Sequence, residues 1–269
     1  MIHQREISKK AYQEQKQDRV IEKDYVITWL LLGISRSPLE KLLAFKGGTA
    51  LKKLYFKDYR YSEDLDFTVL EKTRREKLQV YLSGVFNDLE KEAALAFQIN
   101  EGKTEERADS TTLYVQFAGP LQGVTGSRDF KLDFTFNEKL VYPLSRRRIL
   151  ASYSDCAGVD RTLAAYSLEE ILVEKLCALI GRTEPRDLYD AHFLLRLGNI
   201  DYLSVPEGFK SKAEHKGIDP RKISTALLER EPTMSRLWDN RLSLQVDALP
   251  QFKRVLRETK QALKQFELI

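Results

Sequence analysis

Three segments of the chain alternate strictly between apolar and polar side chains, and this alternation constrains the fold more than any other feature. The segments lie at residues 64–69, 113–117 and 130–136. A period of two is the period of a β-strand, in which successive side chains point to opposite faces of the sheet. The pattern therefore predicts a sheet with one apolar face and one polar face.

Helical periodicity occupies much of the remaining chain, and glycines at residues 119–128 predict a turn before the third strand. The predicted helices cover residues 8–34, 72–93, 167–181, 185–197 and about 250–267. Strands and helices are mixed in the first part of the chain, whereas the later part is helical. We therefore predict an α+β fold, with a mixed sheet and flanking helices in residues 1–155 and a mainly helical domain in residues 156–269.

The composition indicates an ordered globular protein. Of the 269 residues, 42% are hydrophobic and 31% are charged, and the net charge is only +4. The chain therefore has the apolar content that a core needs, which excludes a disordered protein. A pI near 8.8 is compatible with a nucleic-acid partner but does not require one.

The cysteines and the N-terminus predict the cellular compartment. Cys156 and Cys177 have no cysteine or histidine neighbour at metal-ligand spacing, so we expect buried thiols in a reducing environment. The N-terminus lacks the apolar segment of a signal peptide, and no apolar run approaches the roughly 18 residues of a membrane span. We expect a cytoplasmic, monomeric protein with no membrane association.

The polar face of the predicted sheet carries three acids. Asp64 and Asp66 are two residues apart on one strand, so their carboxylates share a face about 7 Å apart. Two such charges repel each other unless a cation neutralises them, and Mg²⁺ prefers hard oxygen ligands. If the strand of Asp133 pairs nearby, three carboxylates converge as in a metal-dependent phosphoryl-transfer site. The alternative is a set of ordinary surface acids.

A glycine turn precedes the first two acids. Gly47 and Gly48 permit backbone geometry that is closed to other residues, and Thr49 is a candidate N-cap for a helix over residues 50–56. A helix N-terminus behind a glycine turn offers free N–H groups to a phosphate. Residues 45–67 are therefore either two halves of a phosphate and metal site or an ordinary helix, loop and strand.

The helical half contains a lysine at an unusual position. Lys175 lies on the apolar stripe of its predicted helix and has no acid at helical spacing on that helix. It either extends its ammonium from the edge of the core, or binds phosphate, or acts as a base whose pKa is lowered by burial. Asp187 and Asp190 lie on the next helix, where they either stabilise that helix locally or belong to a site.

The last predicted helix separates cations from apolar residues. The cations are Lys253, Arg254, Arg257, Lys260 and Lys264. Phe252, Val255, Leu256, Leu263 and Phe266 lie on the opposite side. This helix is either an RNA-backbone surface or an ordinary amphipathic helix with a solvated polar face.

Four elements in order resemble the nucleotidyltransferases of the DNA polymerase beta superfamily. They are GGT followed by a helix and by Arg60-x-Ser62-x-Asp64-x-Asp66, then FKLDF (130–134), SLEEILVEKLCALIGR (167–182) and EPRDLYD (184–190). More narrowly, they resemble the AbiEii/AbiGii toxins of type IV toxin–antitoxin systems, a family that includes the MenT-like tRNA-modifying enzymes. The resemblance covers roughly residues 20–197.

This resemblance implies a nucleotidyltransferase-type sheet and transfer of a nucleoside monophosphate from an NTP to an acceptor hydroxyl, notably a tRNA 3′ end. It also implies Mg²⁺ or Mn²⁺ as cofactor and a cognate antitoxin as partner. The implied metal ligands are Asp64, Asp66 and Asp133, of which Asp133 is also the candidate proton acceptor. The implied nucleotide-binding residues are Gly47, Gly48, Thr49, Arg60, Ser62, Lys131 and Lys175. The implied catalytic set is Asp64, Asp66, Asp133 and Lys175 with Asp187 and Asp190, and which of the last two acids acts stays open.

Two other functions remain open on the sequence. One is a nucleotidyltransferase that modifies a small molecule or a protein, because the residues that recognise the acceptor lie outside the motifs. The other is a nucleotide- or RNA-binding protein without catalysis. The complete set of Asp64, Asp66 and Asp133 argues against that second alternative, since an inactive site would be expected to lose at least one of its carboxylates.

Overall fold

The computed structural model describes residues 1–121 and 129–269. Residues 122–128, most of the predicted glycine turn, lie outside the described part. The chain forms two compact units, the first containing Met1–Glu138 and Leu144–Ala165 and the second containing Lys139–Pro143 and Tyr166–Ile269. The domain boundary at residue 155 stays a prediction. In the structure, the chain passes from the first unit to the second after Ala165.

Helices occur in both units. Those of the first unit are α1 (Gln4–Gln13), α2 (Asp18–Ile34), α3 (Leu39–Leu42), α4 (Gly47–Ala50) and α5 (Arg75–Ala93), with a π-helix at Leu51–Tyr55 and a short 3₁₀ helix at Glu101–Lys103. Those of the second unit are α6 (Leu168–Gly181), α7 (Pro185–Leu194), α8 (Val205–His215), α9 (Ile223–Leu242) and α10 (Phe252–Gln265), with a 3₁₀ helix at Pro220–Lys222. Across residues 1–121 and 129–269, no helix is both long enough and apolar enough to cross a membrane.

The first unit is built on one mixed sheet. Its strands are β1 (Leu43–Lys46), β2 (Leu65–Val69), β3 (Ala96–Ile99), β4 (Glu105–Glu106), β5 (Ser110–Ala118), β6 (Asp129–Thr135), β7 (Ser145–Arg148) and β8 (Thr162–Ala165). Their order is β3-β5-β6-β2-β1-β8-β7, and β4 pairs with β5 outside this path. The pairs β2–β6 and β1–β8 are parallel, and the other pairs are antiparallel. The predicted α+β fold class is therefore confirmed.

The apolar face of the sheet forms the core of the first unit. Phe45, Phe67 and Phe134 are register partners on three adjacent strands. Their rings follow one another at centroid distances of 4.9 and 6.1 Å. All three belong to a buried cluster that also contains the buried apolar residues of α2 and α5. Because alternate residues of a strand face opposite ways, burying these rings directs the polar residues of the same strands to the other face.

The prediction of one helix over residues 8–34 is wrong. The helix ends after Gln13 because Gln15 adopts a left-handed conformation with φ of 51°. The amides of Gln15 and Lys16 then donate to the carbonyls of Tyr12 and Ala11, at 3.3 and 2.9 Å. This is the bonding pattern of a Schellman motif, which usually contains glycine at the left-handed position. A glutamine there gives no sequence signal for the break.

In the second unit, Glu170 holds the segment at residues 139–143. Its carboxylate accepts hydrogen bonds from the amides of Val141 and Tyr142, at 2.9 and 2.7 Å. It also pairs at 2.7 Å with Lys212, and both side chains are fully buried. The two amides donate to Glu170, and Lys212 donates to the carbonyl of Lys139. These hydrogen bonds offset the loss of hydration that a buried ion pair suffers. The segment therefore packs with helices that follow it in sequence.

Candidate functional site

The sheet register brings polar residues from four strands into one row. Lys46 of β1 is opposite Asp66 of β2, which is opposite Asp133 of β6, and Asp133 is opposite Thr112 of β5. Neighbouring strands are about 4.8 Å apart, and register partners point to the same face. Two of the three predicted metal ligands thus lie on adjacent strands, although they are distant in sequence.

The third predicted ligand interacts electrostatically with this row. Burial raises the pKa of the Asp133 carboxyl, and the negative charge of Asp64 raises it further. The hydroxyl of Thr112 opposes these effects by donating a hydrogen bond to the Asp133 carboxylate. A cation bound beside these carboxylates would lower this pKa, because a nearby positive charge favours the ionised form.

The glycine turn lies directly against the acids. Gly47 has φ of +81°, and a Cβ placed on it would collide with the carboxylate of Asp66. Thr49 is 1% exposed, and its hydroxyl donates a hydrogen bond to the backbone carbonyl of Asp64. Only glycine combines this conformation with this close approach. The turn and the acid-bearing segment are therefore physically joined.

The prediction that Thr49 caps a helix over residues 50–56 is wrong. The helix α4 already begins at Gly47, and Lys46 is the residue that precedes it. The chain then continues as the π-helix Leu51–Tyr55. The Thr49 hydroxyl instead donates a hydrogen bond to the Asp64 carbonyl, and this bond joins two segments of the chain.

The remaining predicted nucleotide-binding residues of the first unit differ in exposure. Arg60 and Ser62 are 4% and 8% exposed, and the guanidinium of Arg60 donates to the carbonyl of Tyr61 at 3.2 Å. Lys131 is accessible, and its Nζ lies 5.3 Å from the ring centroid of Tyr114. Partial burial lowers the pKa of Lys131, but the Tyr114 hydroxyl and the nearby acids outweigh burial and raise it. Lys131 is therefore a cation on the acid-bearing face.

The carboxylates match the donor chemistry of a magnesium site with two protein ligands. In the part of the chain that the structure describes, no three histidine, cysteine, aspartate or glutamate side chains are close enough to share one metal ion. Mg²⁺ in phosphoryl-transfer proteins is usually held by one or two carboxylates together with substrate phosphates and waters. The acids on this face fit such a site, in which the substrate supplies the missing ligands.

The second unit holds a charge cluster around Lys175. Its ammonium lies 2.8 Å from Asp187 and 2.9 Å from Asp190, and these acids are 2% and 0% exposed. Arg182 adds two hydrogen bonds to Asp187, at 2.7 and 3.0 Å. Burial alone would raise the pKa of Asp187, but the charge of Lys175 and the hydrogen bonds from Arg182 hold it below its usual value.

This cluster explains how a lysine can lie on an apolar helical stripe. The counter-charges come from α7, the helix after its own, which periodicity on one helix does not reveal. Both acids contact Lys175, so their geometry does not separate them as candidates. The catalytic roles of Lys175, Asp187 and Asp190 stay predictions.

Sequence reasoning missed three residues beside the predicted ones. Thr112 bonds to Asp133, Arg182 bonds to Asp187, and Lys46 pairs with Glu138 at 3.6 Å beside Asp66. Thr112 lies at a polar position of an alternating strand, but only the register of β5 against β6 puts it opposite Asp133. Arg182 lies five residues before Asp187, across the turn between two helices, and no helical spacing rule covers that pair.

Comparison with known proteins identifies a family. The sequence profile of a family described as "Nucleotidyl transferase AbiEii toxin, Type IV TA system" matches residues 29–263. No curated protein sequence matches the chain at a significant level.

Solved structures share the fold at low sequence identity. The nucleotidyltransferase toxin MenT4 (Rv2826c) from Mycobacterium tuberculosis H37Rv aligns with a TM-score of 0.72 and 17% identity, over 99% of this chain and 90% of that one. The JHP933 structure from Helicobacter pylori aligns with a TM-score of 0.56 and 19% identity, over 93% of each chain.

Proposed function

The chain belongs to the AbiEii family of nucleotidyltransferase toxins of type IV toxin–antitoxin systems, and from this premise we propose that it transfers a nucleoside monophosphate from an NTP to the 3′ end of a tRNA. The reaction depends on a divalent cation, Mg²⁺ or Mn²⁺. The protein acts in the cytoplasm as a monomer, and a cognate antitoxin restrains it.

One observation carries this proposal: the acids and the glycine turn lie together on one face of the sheet. Asp66 and Asp133 are neighbours across the parallel pair β2–β6, and Asp64 raises the pKa of Asp133. Gly47 lies against Asp66. A phosphate held at the turn would therefore lie beside carboxylates that hold its cation.

In the proposed reaction, the acceptor hydroxyl oxygen forms a bond to the α-phosphorus of the NTP. The bond between that phosphorus and the bridging oxygen of pyrophosphate breaks, and pyrophosphate leaves with the bonding electrons. The hydroxyl proton passes to the Asp133 carboxylate, because burial of this group favours its protonated form. A bound divalent cation supplies the positive charge that offsets the phosphate charge.

The other residues hold and orient the nucleotide. Asp64 and Asp66 would hold the cation together with the phosphates, and Asp133 would complete the site. Gly48, Thr49, Arg60 and Ser62 shape the phosphate site beside Gly47, and Lys131 supplies positive charge on the acid-bearing face. Lys175 offsets triphosphate charge, and Asp187 and Asp190 position its ammonium. Positioning and electrostatics of this kind supply most of the rate in phosphoryl transfer.

A transfer assay tests the proposal. The protein is incubated with each α-labelled NTP in turn, with Mg²⁺ and total tRNA, beside a variant carrying Asp64→Asn and Asp66→Asn. We expect label in tRNA with the intact protein and at least 100-fold less with the variant, because removing preorganised charge stabilisation typically costs a factor of 10² to 10³. Asp58→Asn with Asp88→Asn is the matched control, since it removes two exposed carboxylates and the same charge.

Each outcome of that assay has a distinct meaning. Label on a protein or a small molecule, but not on tRNA, overturns the proposed acceptor and keeps the chemistry. Full transfer by the Asp64/Asp66 variant overturns the proposed site. The toxin role is tested separately by inducing both proteins in cells, where the intact protein is expected to arrest growth and the variant is not.

A further inference from the structure

The helix α10 carries a row of cations that the proposed reaction does not use. Lys253, Arg257, Lys260 and Lys264 are spaced by four, three and four residues, so they lie on one face of the helix. We call these four residues the basic stripe. With a rise of about 1.5 Å per residue, neighbouring members are about 4.5–6 Å apart along the helix axis, and the row is about 16 Å long.

The one acid of α10 does not neutralise the basic stripe. Glu258 pairs instead with Arg254 at 2.8 Å and with His192 at 2.9 Å, and it also contacts Arg196. These contacts hold the pKa of Glu258 at about 2, chiefly through the hydrogen bond from Arg254. Its negative charge is therefore directed away from the stripe.

Lys253, Arg257 and Lys264 are exposed and Lys260 is half-buried, while the opposite face of α10 is anchored. Phe252, Val255, Leu256, Thr259 and Leu263 are buried in the second unit. The cations border a cleft of about 400 Å³, and the acid at its edge is Glu231, which lies 3.5 Å from Lys260. Four cations facing one carboxylate make this a positively charged surface.

We propose that the basic stripe binds the sugar-phosphate backbone of the acceptor RNA, an inference that rests on the proposed function for the choice of RNA. Three of the four cations are lysines, and the described residues that line the cleft include no aromatic side chain that could stack on a base. Flexible ammonium groups suit phosphates in any sequence, whereas base recognition needs planar donors or stacking. Lysine is also depleted in protein–protein interfaces, which favours RNA over a protein partner.

Neutralising the stripe gives a direct test. The variant carries Lys253→Gln, Arg257→Gln, Lys260→Gln and Lys264→Gln. The control carries Lys210→Gln, Lys222→Gln, Arg236→Gln and Arg241→Gln, which removes the same charge from exposed positions elsewhere in the second unit. Binding of total tRNA is measured without NTP over a series of salt concentrations, and circular dichroism confirms that both variants are folded.

We expect the stripe variant to bind tRNA at least about tenfold more weakly. The slope of log affinity against log salt should become shallower by about 3, because each of the four lost phosphate contacts to a single strand contributes about 0.7. The control is expected to bind nearly as well as the parent protein. In the transfer assay, the stripe variant is expected to raise KM for tRNA and to leave KM for NTP unchanged.

The outcomes separate this inference from the proposed function. Equal slopes for the parent and the stripe variant overturn the inference, even if nucleotide transfer to tRNA is intact. A parent protein that binds no tRNA overturns it as well. Salt-dependent binding that the stripe variant alone loses supports it, even if the transferred label enters another acceptor. Loss of antitoxin binding with unchanged tRNA binding assigns the stripe to a protein partner and overturns the inference.

Discussion

Replacing Lys175 by methionine tests whether the buried charge cluster stabilises the second unit. Methionine keeps most of the side-chain length but removes the ammonium that contacts Asp187 at 2.8 Å and Asp190 at 2.9 Å. These carboxylates are 2% and 0% exposed, so water cannot readily replace the lost contacts. We therefore expect a large loss of stability.

The size of the loss follows from the contacts that remain. Removing one partner of a buried ion pair costs about 3–5 kcal/mol, because a charge is left in a low-dielectric interior. Arg182 still donates two hydrogen bonds to Asp187, at 2.7 and 3.0 Å. We therefore place the loss near the lower end, at about 3 kcal/mol. With a urea m-value of about 1–3 kcal/mol/M, the unfolding midpoint falls by about 1–3 M.

The loss is expected to depend on pH in a defined direction. The pKa of Asp187 is raised by burial, but Lys175 and Arg182 lower it by a larger amount. An acid with a lowered folded-state pKa stabilises the fold above its unfolded-state pKa, and this stability is lost as the pH falls through the folded-state value. The difference between parent and variant is therefore largest near pH 7. It shrinks as the pH falls below about 4, the ordinary pKa of an unfolded-state aspartate, towards the lower folded-state pKa.

Urea unfolding followed by circular dichroism at pH 7 and pH 3 measures these effects. The double variant Lys175→Met with Asp190→Asn removes a positive and a negative charge together, and we expect it to recover at least half of the lost stability. Lys210→Met is the control, because an exposed lysine contributes within about 0.5 kcal/mol. Equal midpoints for parent and Lys175→Met at pH 7, or a double variant less stable than the single one, would refute the reasoning.

Two further predictions concern the first unit. Gly47→Ala is expected to destabilise by about 1–2 kcal/mol from its left-handed backbone alone, and to weaken NTP binding because the new Cβ displaces the neighbouring carboxylate. In contrast, Gly84→Ala is expected to stabilise by about 0.5–1 kcal/mol, because Gly84 is helical and has open space around it. If thermal unfolding shows equal changes in stability for the two variants, the expected clash at Gly47 is wrong. Thr112→Val removes a hydrogen bond that lowers the pKa of Asp133, so this pKa is expected to rise further above 3.8. The acid limb of the pH profile for nucleotide transfer should then move to higher pH, because Asp133 must be ionised to accept the proton, and an unmoved profile would exclude Asp133 as the acceptor.

The sequence alone was sufficient for the fold class and for the family. Alternation of apolar and polar residues marks β2, β5 and β6, because a half-buried strand has one face against the core and the other towards solvent. Local pattern also located most of α5, α6, α7 and α10. The motifs around Asp64 and Asp66 indicated the nucleotidyltransferase family, which the family profile confirms.

Tertiary structure decided which residues meet. The alternation of β2 and β6 does not specify their register, and a shift by one residue would put Asp133 on the other face. The register observed sets Asp133 beside Asp66, and folding of the turn sets Gly47 against the same acid. Contacts of this kind join residues distant in sequence, so no local pattern contains them.

The same limit applies to the helix break at Gln15 and to Lys175. A left-handed glutamine and a lysine on an apolar stripe both conflict with local preference, and both are stabilised by groups that local periodicity does not identify. The sequence determined which chemical groups are present and which faces they occupy. The fold decided their partners, because the free energy of a buried charge or a strained backbone depends on what packs around it.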